Sequence, residues 1–252
     1  MKKTMIKVLD KTFAILEKLA LASPHPCRIG ELAKQFDINT ATCSRILKEL
    51  VEAGYAIRVS RLEGYAAGPR AWTFASQVRY RERLIGIADP VIRRTASALE
   101  ASVLLAERNG KERYILLHHN GCRKLDIVLG QLSFHDLFKT ATGLLLTAFA
   151  PEKEQKELLE SYEGKTSRLF PPGTDLIAEL ATIRREERCV FRNRDQGIIA
   201  FPIRRNRAVV AVLGASVALE DFTEPFRSRL IDGVERAARQ ISQSLSTLNT
   251  IG

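Results

Sequence analysis

Polar side chains in the N-terminal third of the 252-residue chain have the types and spacing of a surface that binds nucleic acid. They fall wholly or partly outside the apolar stripe of a predicted helix, and they are Thr40, Thr42, Ser44, Arg45 and Lys48. Hydroxyl, guanidinium and ammonium groups donate hydrogen bonds to phosphate oxygens and to base edges in the DNA major groove. Arg45 is placed for guanine or a phosphate, and Lys48 is better suited to a phosphate. The alternative interpretation is a solvated helix face.

A helix-turn-helix is predicted to position these side chains. Apolar periodicity indicates helices over residues 5–22, 29–36 and 40–53. The tight turn 37–39 separates the second helix from the third, with Asn39 or Thr40 as the N-cap. A short helix, a tight turn and a longer helix are the order of a helix-turn-helix. The predicted apolar face of the third helix comprises Ala41, Ile46, Leu47, Leu50 and Val51.

A basic hairpin is predicted to follow the third helix, over residues 55–68, because an alternating segment leads into a Gly-containing turn. Such a hairpin is typical of the wing of a winged helix-turn-helix. We expect Arg58 and Arg61 of this wing to contact the DNA backbone or the minor groove. Arg28, at the start of the second helix, is a further candidate for a phosphate contact.

The net charge of +10 is concentrated at the N-terminal end of the chain. Residues 1–83 contain 15 Lys and Arg against 8 Asp and Glu, so this third carries seven of the ten net positive charges. A basic module gains affinity for DNA whatever the sequence, because each neutralised phosphate releases counterions. The charge distribution therefore agrees with the predicted winged helix-turn-helix, although a basic solubilising surface would have the same composition.

Composition bounds the class of protein. The length, with 45% hydrophobic residues, predicts two domains. Because no apolar run is long enough for a membrane span or a secretion signal, we expect a cytoplasmic protein that does not bind membranes. The cysteines are far apart in the sequence and predict reduced thiols without a disulfide framework or a zinc site; they are Cys27, Cys43, Cys122 and Cys189.

Two further kinds of site are not favoured by the sequence. His118, His119 and Cys122 are close together, but adjacent histidines on a strand point to opposite faces and do not readily share a metal ion. No Ser or Cys lies in a context typical of a catalytic nucleophile. We therefore predict that the protein is not an enzyme and needs no metal or cofactor.

The C-terminal part alternates between helical and strand-like segments, and it predicts an α+β domain built around a largely antiparallel sheet. Residues 69–83 form an Arg-rich helical connector, and Gly86 with Asp89-Pro90 indicates a domain boundary. Asn109-Gly110 and Asn120-Gly121 predict consecutive hairpins. The predicted helices are 91–100, 143–150, 152–163, 175–188 and 224–248, and the predicted strands are 102–107, 113–119, 125–129, 198–203 and 209–217.

These segments, in this order and spacing, resemble the IclR-type transcriptional regulators over nearly the whole chain. In the first half the resemblance rests on residues 15–20, 29–33, 40–50, 54–55 and 65–68, and in the second half on residues 139–146, 200–203 and 209–213. The resemblance implies a winged helix-turn-helix over 1–69, a linker helix over 70–84 and a GAF-like domain over 85–252. It also implies homodimers or homotetramers on an inverted-repeat operator of double-stranded DNA, and a small organic acid, often aromatic, as effector.

The resemblance places the lining of an effector pocket at Leu132, Ser133, Ile198, Gly214 and Ser216. The alternative is that Leu132 and Ile198 are ordinary core residues and Ser133 a loop residue. The chain departs from the family pattern where Leu144 replaces a lysine, Ile198 replaces a cysteine and Gly214 replaces the first serine of Ser-x-Ser. Because fewer polar groups line such a pocket, we expect a more apolar ligand.

The resulting hypothesis is a sequence-specific transcriptional regulator, a repressor or an activator, controlled by a small-molecule effector in its C-terminal domain. Dimer symmetry predicts half-sites about one helical turn of DNA apart, or a multiple of it. The alternative is a regulator that needs no ligand, whose GAF-like domain serves only oligomerisation.

Overall fold

The computed structural model describes residues 7–125, 131, 133–162 and 174–247. Contacts along the chain divide it into two compact units, of which the first extends to Tyr80 and the second begins at Arg81. The predicted α+β class is confirmed, with helices and a hairpin in the first unit and a larger sheet with helices in the second. No helix among the described residues is long and apolar enough to cross a membrane.

The first unit is a three-helix cluster followed by a two-stranded antiparallel hairpin and a further helix. Asn39 accepts a hydrogen bond at its side chain from the backbone N–H of Thr42, 2.7 Å away, and so caps the third helix as predicted. Ile15, Leu19 and Leu47 are fully buried in the core of this unit. The elements are α1 Lys7–Ala22, α2 Ile29–Gln35, α3 Thr40–Glu52, β1 Ala56–Ser60, β2 Gly64–Ala67 and α4 Pro69–Gln77.

The apolar face of α3 differs from the prediction at one position. Ala41 is exposed, whereas Cys43 is completely buried. The core face is Cys43, Ile46, Leu47 and Leu50, which is the spacing of one helix face. The prediction was wrong here because cysteine, a small hydrophobe that proteins commonly bury, was counted as a polar position.

The predicted helix over 69–83 is interrupted, and this prediction is corrected. Helix α4 ends at Gln77, Arg81 has a left-handed backbone with φ of 51°, and α5 runs from Glu82 to Leu99. Helix α5 therefore continues through Gly86 and Pro90, which had indicated a boundary. Both residues are exposed, while the buried face of α5 is uninterrupted: Leu84, Ala88, Val91, Ile92, Ala96 and Leu99. Packing of this face outweighs the local cost of about 3 kcal/mol for a proline inside a helix.

The second unit is built on a six-stranded sheet in the order β5-β4-β3-β8-β7-β6, in which every neighbouring pair is antiparallel. The strands are β3 Ser102–Asn109, β4 Glu112–Asn120, β5 Ser133–Phe134, β6 Cys189–Arg192, β7 Gln196–Arg205 and β8 Ala208–Ala218. The remaining helices are α6 Ala141–Ala148, α7 Glu152–Glu160, α8 Leu176–Glu186 and α9 Phe226–Thr247. The predicted strand over 125–129 falls almost entirely outside the described residues, and β6 was not predicted.

The two faces of this sheet carry separate cores, because side chains alternate along each strand. Val103, Leu105 and Leu213 share one core with α5 and α9. Ala106, Ala200 and Val212 share the other with α6 and α8. We refer to these as the α5 face and the α6 face of the sheet.

Candidate nucleic-acid interface and ligand site

The outer face of α3 carries the side chains that the sequence had singled out. Thr40, Ser44, Arg45 and Lys48 are exposed, and Thr42 is half-buried beside the N-cap. The buried stripe of Cys43, Ile46, Leu47 and Leu50 anchors the opposite side of the helix. A row of hydrogen-bond donors at the N-terminal end of an anchored helix is the arrangement that reads base edges in the major groove.

Ala41 is a member of this outer face that the sequence analysis had assigned to the core. Its methyl group lies between the polar positions Thr40 and Ser44 along the helix. Small apolar side chains at such positions contact the C5-methyl group of thymine. The correct burial of Cys43 was the signal that would have placed Ala41 outside.

Arg45 and Lys48 differ in their surroundings. Lys48 lies 3.6 Å from the carboxylate of Glu52 in an exposed ion pair within the helix. Arg45 forms no ion pair or hydrogen bond with the rest of the described chain. Its guanidinium is therefore available for a bidentate contact with a base or a phosphate.

The hairpin is fixed against the start of α2. Backbone hydrogen bonds join the N–H of Cys27 to the carbonyl of Tyr65 at 2.7 Å, and the N–H of Tyr65 to the carbonyl of Cys27 at 2.9 Å. Gly64 has φ of +101°, and a β-carbon there would fall 2.2 Å from the carbonyl oxygen of Cys27. Glycine is thus required for this close approach, which puts Arg28 next to the base of the wing.

The wing arginines are both exposed, Arg58 on β1 and Arg61 in the turn that follows. Leu62 of the same turn is 82% exposed. With Arg28, these cations flank the hairpin, where backbone or minor-groove contacts are made in winged helices. The structure places every predicted DNA-binding residue within the first unit and on accessible positions, except for the half-buried Thr42.

Three of the predicted effector residues lie together on the α6 face of the sheet in the second unit. Ile198 on β7 pairs with Ser216 on β8, and Gly214 lies two residues before Ser216 on the same face. Ser133 is not part of this group: it pairs with Tyr114 at the edge strand β5, and the alternation of β4 puts that pair on the α5 face. Leu132 lies outside the described residues.

Two polar residues that the sequence analysis had not assigned to this site are brought to it by the strand register. Ser102 on β3 lies directly opposite Ser216, and only 2% of Ser102 is exposed. The hydroxyl of Ser102 is 2.8 Å from Nε2 of His118, which lies on β4. Strand pairing over long sequence separation creates this cluster, so no local pattern could have indicated it.

Gly214 has a packing role at this site. A β-carbon at Gly214 would lie 2.5 Å from the side-chain methyl of Thr142, in the first turn of α6. Thr142 therefore closes the space above Gly214. The open part of the face lies beyond this contact, and we call it the sheet basin, defined by Ser102, Leu104, His118, Ile198 and Ser216.

The sheet basin combines polar and apolar groups in a partly shielded setting. Leu104, His118, Ile198 and Ser216 are half-buried. Burial lowers the pKa of His118 below its ordinary value, and the positive charge of neighbouring His119 lowers that pKa further. His119 points to the other face of the sheet, where its Nε2 is 2.7 Å from the carboxylate of Asp89 on α5.

Metal binding finds no support in the geometry. Within the described parts of the chain, no three His, Cys, Asp or Glu side chains are grouped so that they could hold a metal ion. All four cysteines are free and buried. The two adjacent histidines make separate contacts, with Ser102 and with Asp89.

Comparison with known proteins gives concordant matches to both halves of the chain. Residues 77–243 match the family model described as the bacterial transcriptional regulator IclR C-terminal domain. Residues 8–60 match that of the IclR helix-turn-helix domain. The chain is 24% identical to the HTH-type transcriptional regulator BhcR of Paracoccus denitrificans, with 98% of this chain and 90% of the relative covered. It is 25% identical to the regulator KdgR of Escherichia coli, with 93% and 91% covered.

Solved structures match the fold over nearly the full length. The IclR protein of Thermotoga maritima has a TM-score of 0.70 and 25% identity, with 96% of this chain and 99% of that chain covered. An IclR homologue from Microbacterium hydrocarbonoxydans, solved in complex with 4-hydroxybenzoate, has a TM-score of 0.74 and 22% identity, with 94% and 98% covered.

Proposed function

Because the chain belongs to the IclR family of transcriptional regulators, we propose that it binds one specific operator and that a small organic acid controls this binding. The DNA-binding part is assigned to residues 1–69, and the effector-sensing part to residues 85–252. The single observation that carries the DNA-binding assignment is the outer face of α3, with its exposed donors and the partner-free guanidinium of Arg45.

Direct readout is assigned to Thr40, Ala41, Ser44 and Arg45, because they occupy the N-terminal half of the outer face of α3. Phosphate contacts are assigned to Arg28, Lys48, Arg58 and Arg61. Phosphate contacts fix the register of the protein on the duplex, whereas base contacts carry the sequence information. Thr42 is assigned to the N-terminal turn of α3, where its backbone N–H is already bound by Asn39.

Self-association is proposed to align two such helices on an inverted repeat. Helix α4 buries none of its side chains, and it exposes 77% of Trp72 and 63% of Phe74. Large apolar side chains that remain exposed in a monomer commonly mark a protein interface. A homodimer or homotetramer would cover them and present α3 twice.

The effector site is assigned to the sheet basin. Its half-buried polar and apolar groups agree with pockets that orient an apolar ligand through a few polar contacts. The bound 4-hydroxybenzoate of the Microbacterium homologue supports a small aromatic acid as the first compound to test. An effector can shift the regulator between states only through its different affinity for them.

A regulator that needs no ligand is the second candidate. It is favoured by the contact of Thr142 with Gly214, which fills part of the face where an effector would lie. Both candidates share the same DNA-binding surface.

Footprinting of the DNA upstream of the protein's own gene, with and without 4-hydroxybenzoate and related acids, tests the proposal. Protection of an inverted repeat that changes when an acid is added supports the full proposal. Protection that no acid alters supports the second candidate. Absence of sequence-specific protection, with equal binding to unrelated DNA, would refute the assignment of a specific operator.

A further inference from the structure

We infer that Ser102, His118 and Ser216 form a carboxylate-binding end of the sheet basin and select aromatic monocarboxylates as effectors. This inference rests on the proposed effector control. It adds two residues to the site and a reason for its ligand class.

The three polar residues form a continuous row across neighbouring strands. Ser216 on β8 is directly opposite Ser102 on β3, and residues so paired have β-carbons about 5 Å apart. Ser102 is bound to His118 of β4, one strand further along. A single carboxylate can therefore reach both ends of this row.

Two atoms of the row are left without a hydrogen-bond partner. In the described residues, Nδ1 of His118 and the hydroxyl of Ser216 form no hydrogen bond. No buried polar side-chain atom of the described chain lacks a partner, so these two atoms must reach open space. They are available to a ligand.

The burial of Ser102 determines which atom of His118 can donate. A buried hydroxyl donor left unpaired costs more free energy than an unpaired lone pair, so the O–H of Ser102 is expected to donate to Nε2. Neutral His118 then carries its proton on Nδ1, and this N–H points to the accessible side. The N–H of His118 and the O–H of Ser216 are two donors for the two oxygens of one carboxylate.

The row continues into apolar residues on the other side of Ser216. Ile198 on β7 is directly opposite Ser216, and Phe191 on β6 is opposite Ile198. Strands lie about 4.8 Å apart, so the distance from the polar end to Phe191 matches an aromatic ring bearing a carboxylate. Thr142 limits the basin on the side of α6, which favours a small ligand.

This arrangement revises the expectation of a more apolar ligand. That expectation counted the polar residues that the family pattern has and this chain lacks at Ile198 and Gly214. The polar contacts are supplied instead from β3 and β4, by Ser102 and His118.

Calorimetric titration of the full-length protein tests the inference. The ligands are 4-hydroxybenzoate and benzoate, each paired with its neutral amide of the same shape. We expect wild-type protein to bind the acids at least tenfold more tightly than the amides, because donors to a charged carboxylate form the stronger hydrogen bonds. We expect H118A and S216A to lose most of this preference.

Two further variants control for damage to the fold. H118Q retains an acceptor for Ser102 and an N–H donor, so we expect it to restore part of the preference for acids. H135A removes an exposed histidine outside the basin, with 77% of its side chain accessible, and we expect wild-type binding. Each variant is also tested for operator binding without any acid, which should be unchanged.

The outcomes separate this inference from the proposed function. If H118A and S216A bind the acids as tightly as wild type, and the acids still alter operator binding, the inference is overturned while effector control stands. If wild type binds the amides as tightly as the acids, or binds neither class, carboxylate selection is also overturned. Operator binding in the same experiments independently decides whether the DNA-binding proposal holds.

Discussion

Arg70 donates a hydrogen bond from Nη1 to the carbonyl oxygen of Ala53, at 3.1 Å, and so joins the start of α4 to the C-terminal end of α3. The same guanidinium lies over the ring of Tyr55, 5.2 Å from its centroid. A cation at this position interacts favourably with the helix dipole and with the aromatic face. Arg70 therefore links the helix that carries the proposed reading face to the segment that follows the wing.

We expect R70A to lower the free energy of unfolding of the first unit by about 1 kcal/mol, because the dipole and cation–π contacts of an exposed arginine are each worth roughly half of that. Thermal denaturation followed by circular dichroism measures the change. R94A, which removes an exposed arginine of α5, is the matched control and should leave the midpoint unchanged. Equal effects of the two substitutions would mean that the contact with Ala53 contributes nothing.

Arg45 and Lys48 should differ when each is replaced by alanine. R45A should weaken operator binding by about 1–3 kcal/mol and relax the preference at one base pair, because its free guanidinium is proposed to read a base. K48A should weaken binding to all sequences alike and reduce the slope of log affinity against log salt by about one. Fluorescence anisotropy with the operator and a scrambled duplex, over a range of salt, measures both. A uniform loss for R45A would reassign it to a phosphate.

Gly64 and Gly30 form a matched pair for substitution by alanine. G64A should destabilise the wing strongly, because its β-carbon would collide with the carbonyl of Cys27 in a left-handed backbone conformation. G30A meets no atom within 4 Å and lies inside α2, so it should be neutral or stabilise by up to about 1 kcal/mol. Chemical denaturation and operator affinity are the measurements. Comparable stability of the two variants would contradict the close approach at Gly64.

The winged helix-turn-helix could be predicted from sequence because its signals are local: helical periodicity, the cap at Asn39 and the turn before β2. The continuity of α5 through Pro90 could not, since it depends on a buried face that packs against distant strands. The cluster of Ser102, His118 and Ser216 depends on the pairing of three strands. Register between strands that are distant in sequence is not encoded in any single segment, so these residues became candidates only with the structure.

The four cysteines should resist thiol reagents in the native protein. Burial raises the pKa of Cys27, Cys43 and Cys189, so little of the reactive thiolate is present near neutral pH. We expect native protein to react slowly with Ellman's reagent at pH 7.5, and all four thiols to react after denaturation. S76C, which adds a thiol on the exposed face of α4, is the positive control and should add one fast-reacting group. Fast reaction of the unmodified native chain would contradict the burial.

Stability should depend on pH through His118. Its pKa in the folded protein is lowered by burial and then by His119, whereas in the unfolded chain it takes the ordinary value near 6.5. As the pH falls through 6.5 the unfolded state binds the proton first, so the free energy of unfolding decreases from there down to the folded pKa. The pKa of Asp89 is also lowered, chiefly by its hydrogen bond to His119, but its contribution is lost only below about pH 3.8.

The measurement is urea denaturation of wild type and H118Q between pH 5 and 7.5, a range that isolates the histidine from Asp89. Wild type should lose stability toward pH 5, and H118Q should show a shallower dependence because glutamine cannot take up the proton. H25Q removes an exposed histidine and should follow wild type. If H118Q and wild type have parallel curves, His118 has the same proton affinity in both states, and its contact with Ser102 does not hold it in a shielded setting. That outcome would also weaken the assignment of its Nδ1 as a fixed donor, since a freely solvated imidazole has no preferred tautomer at the site.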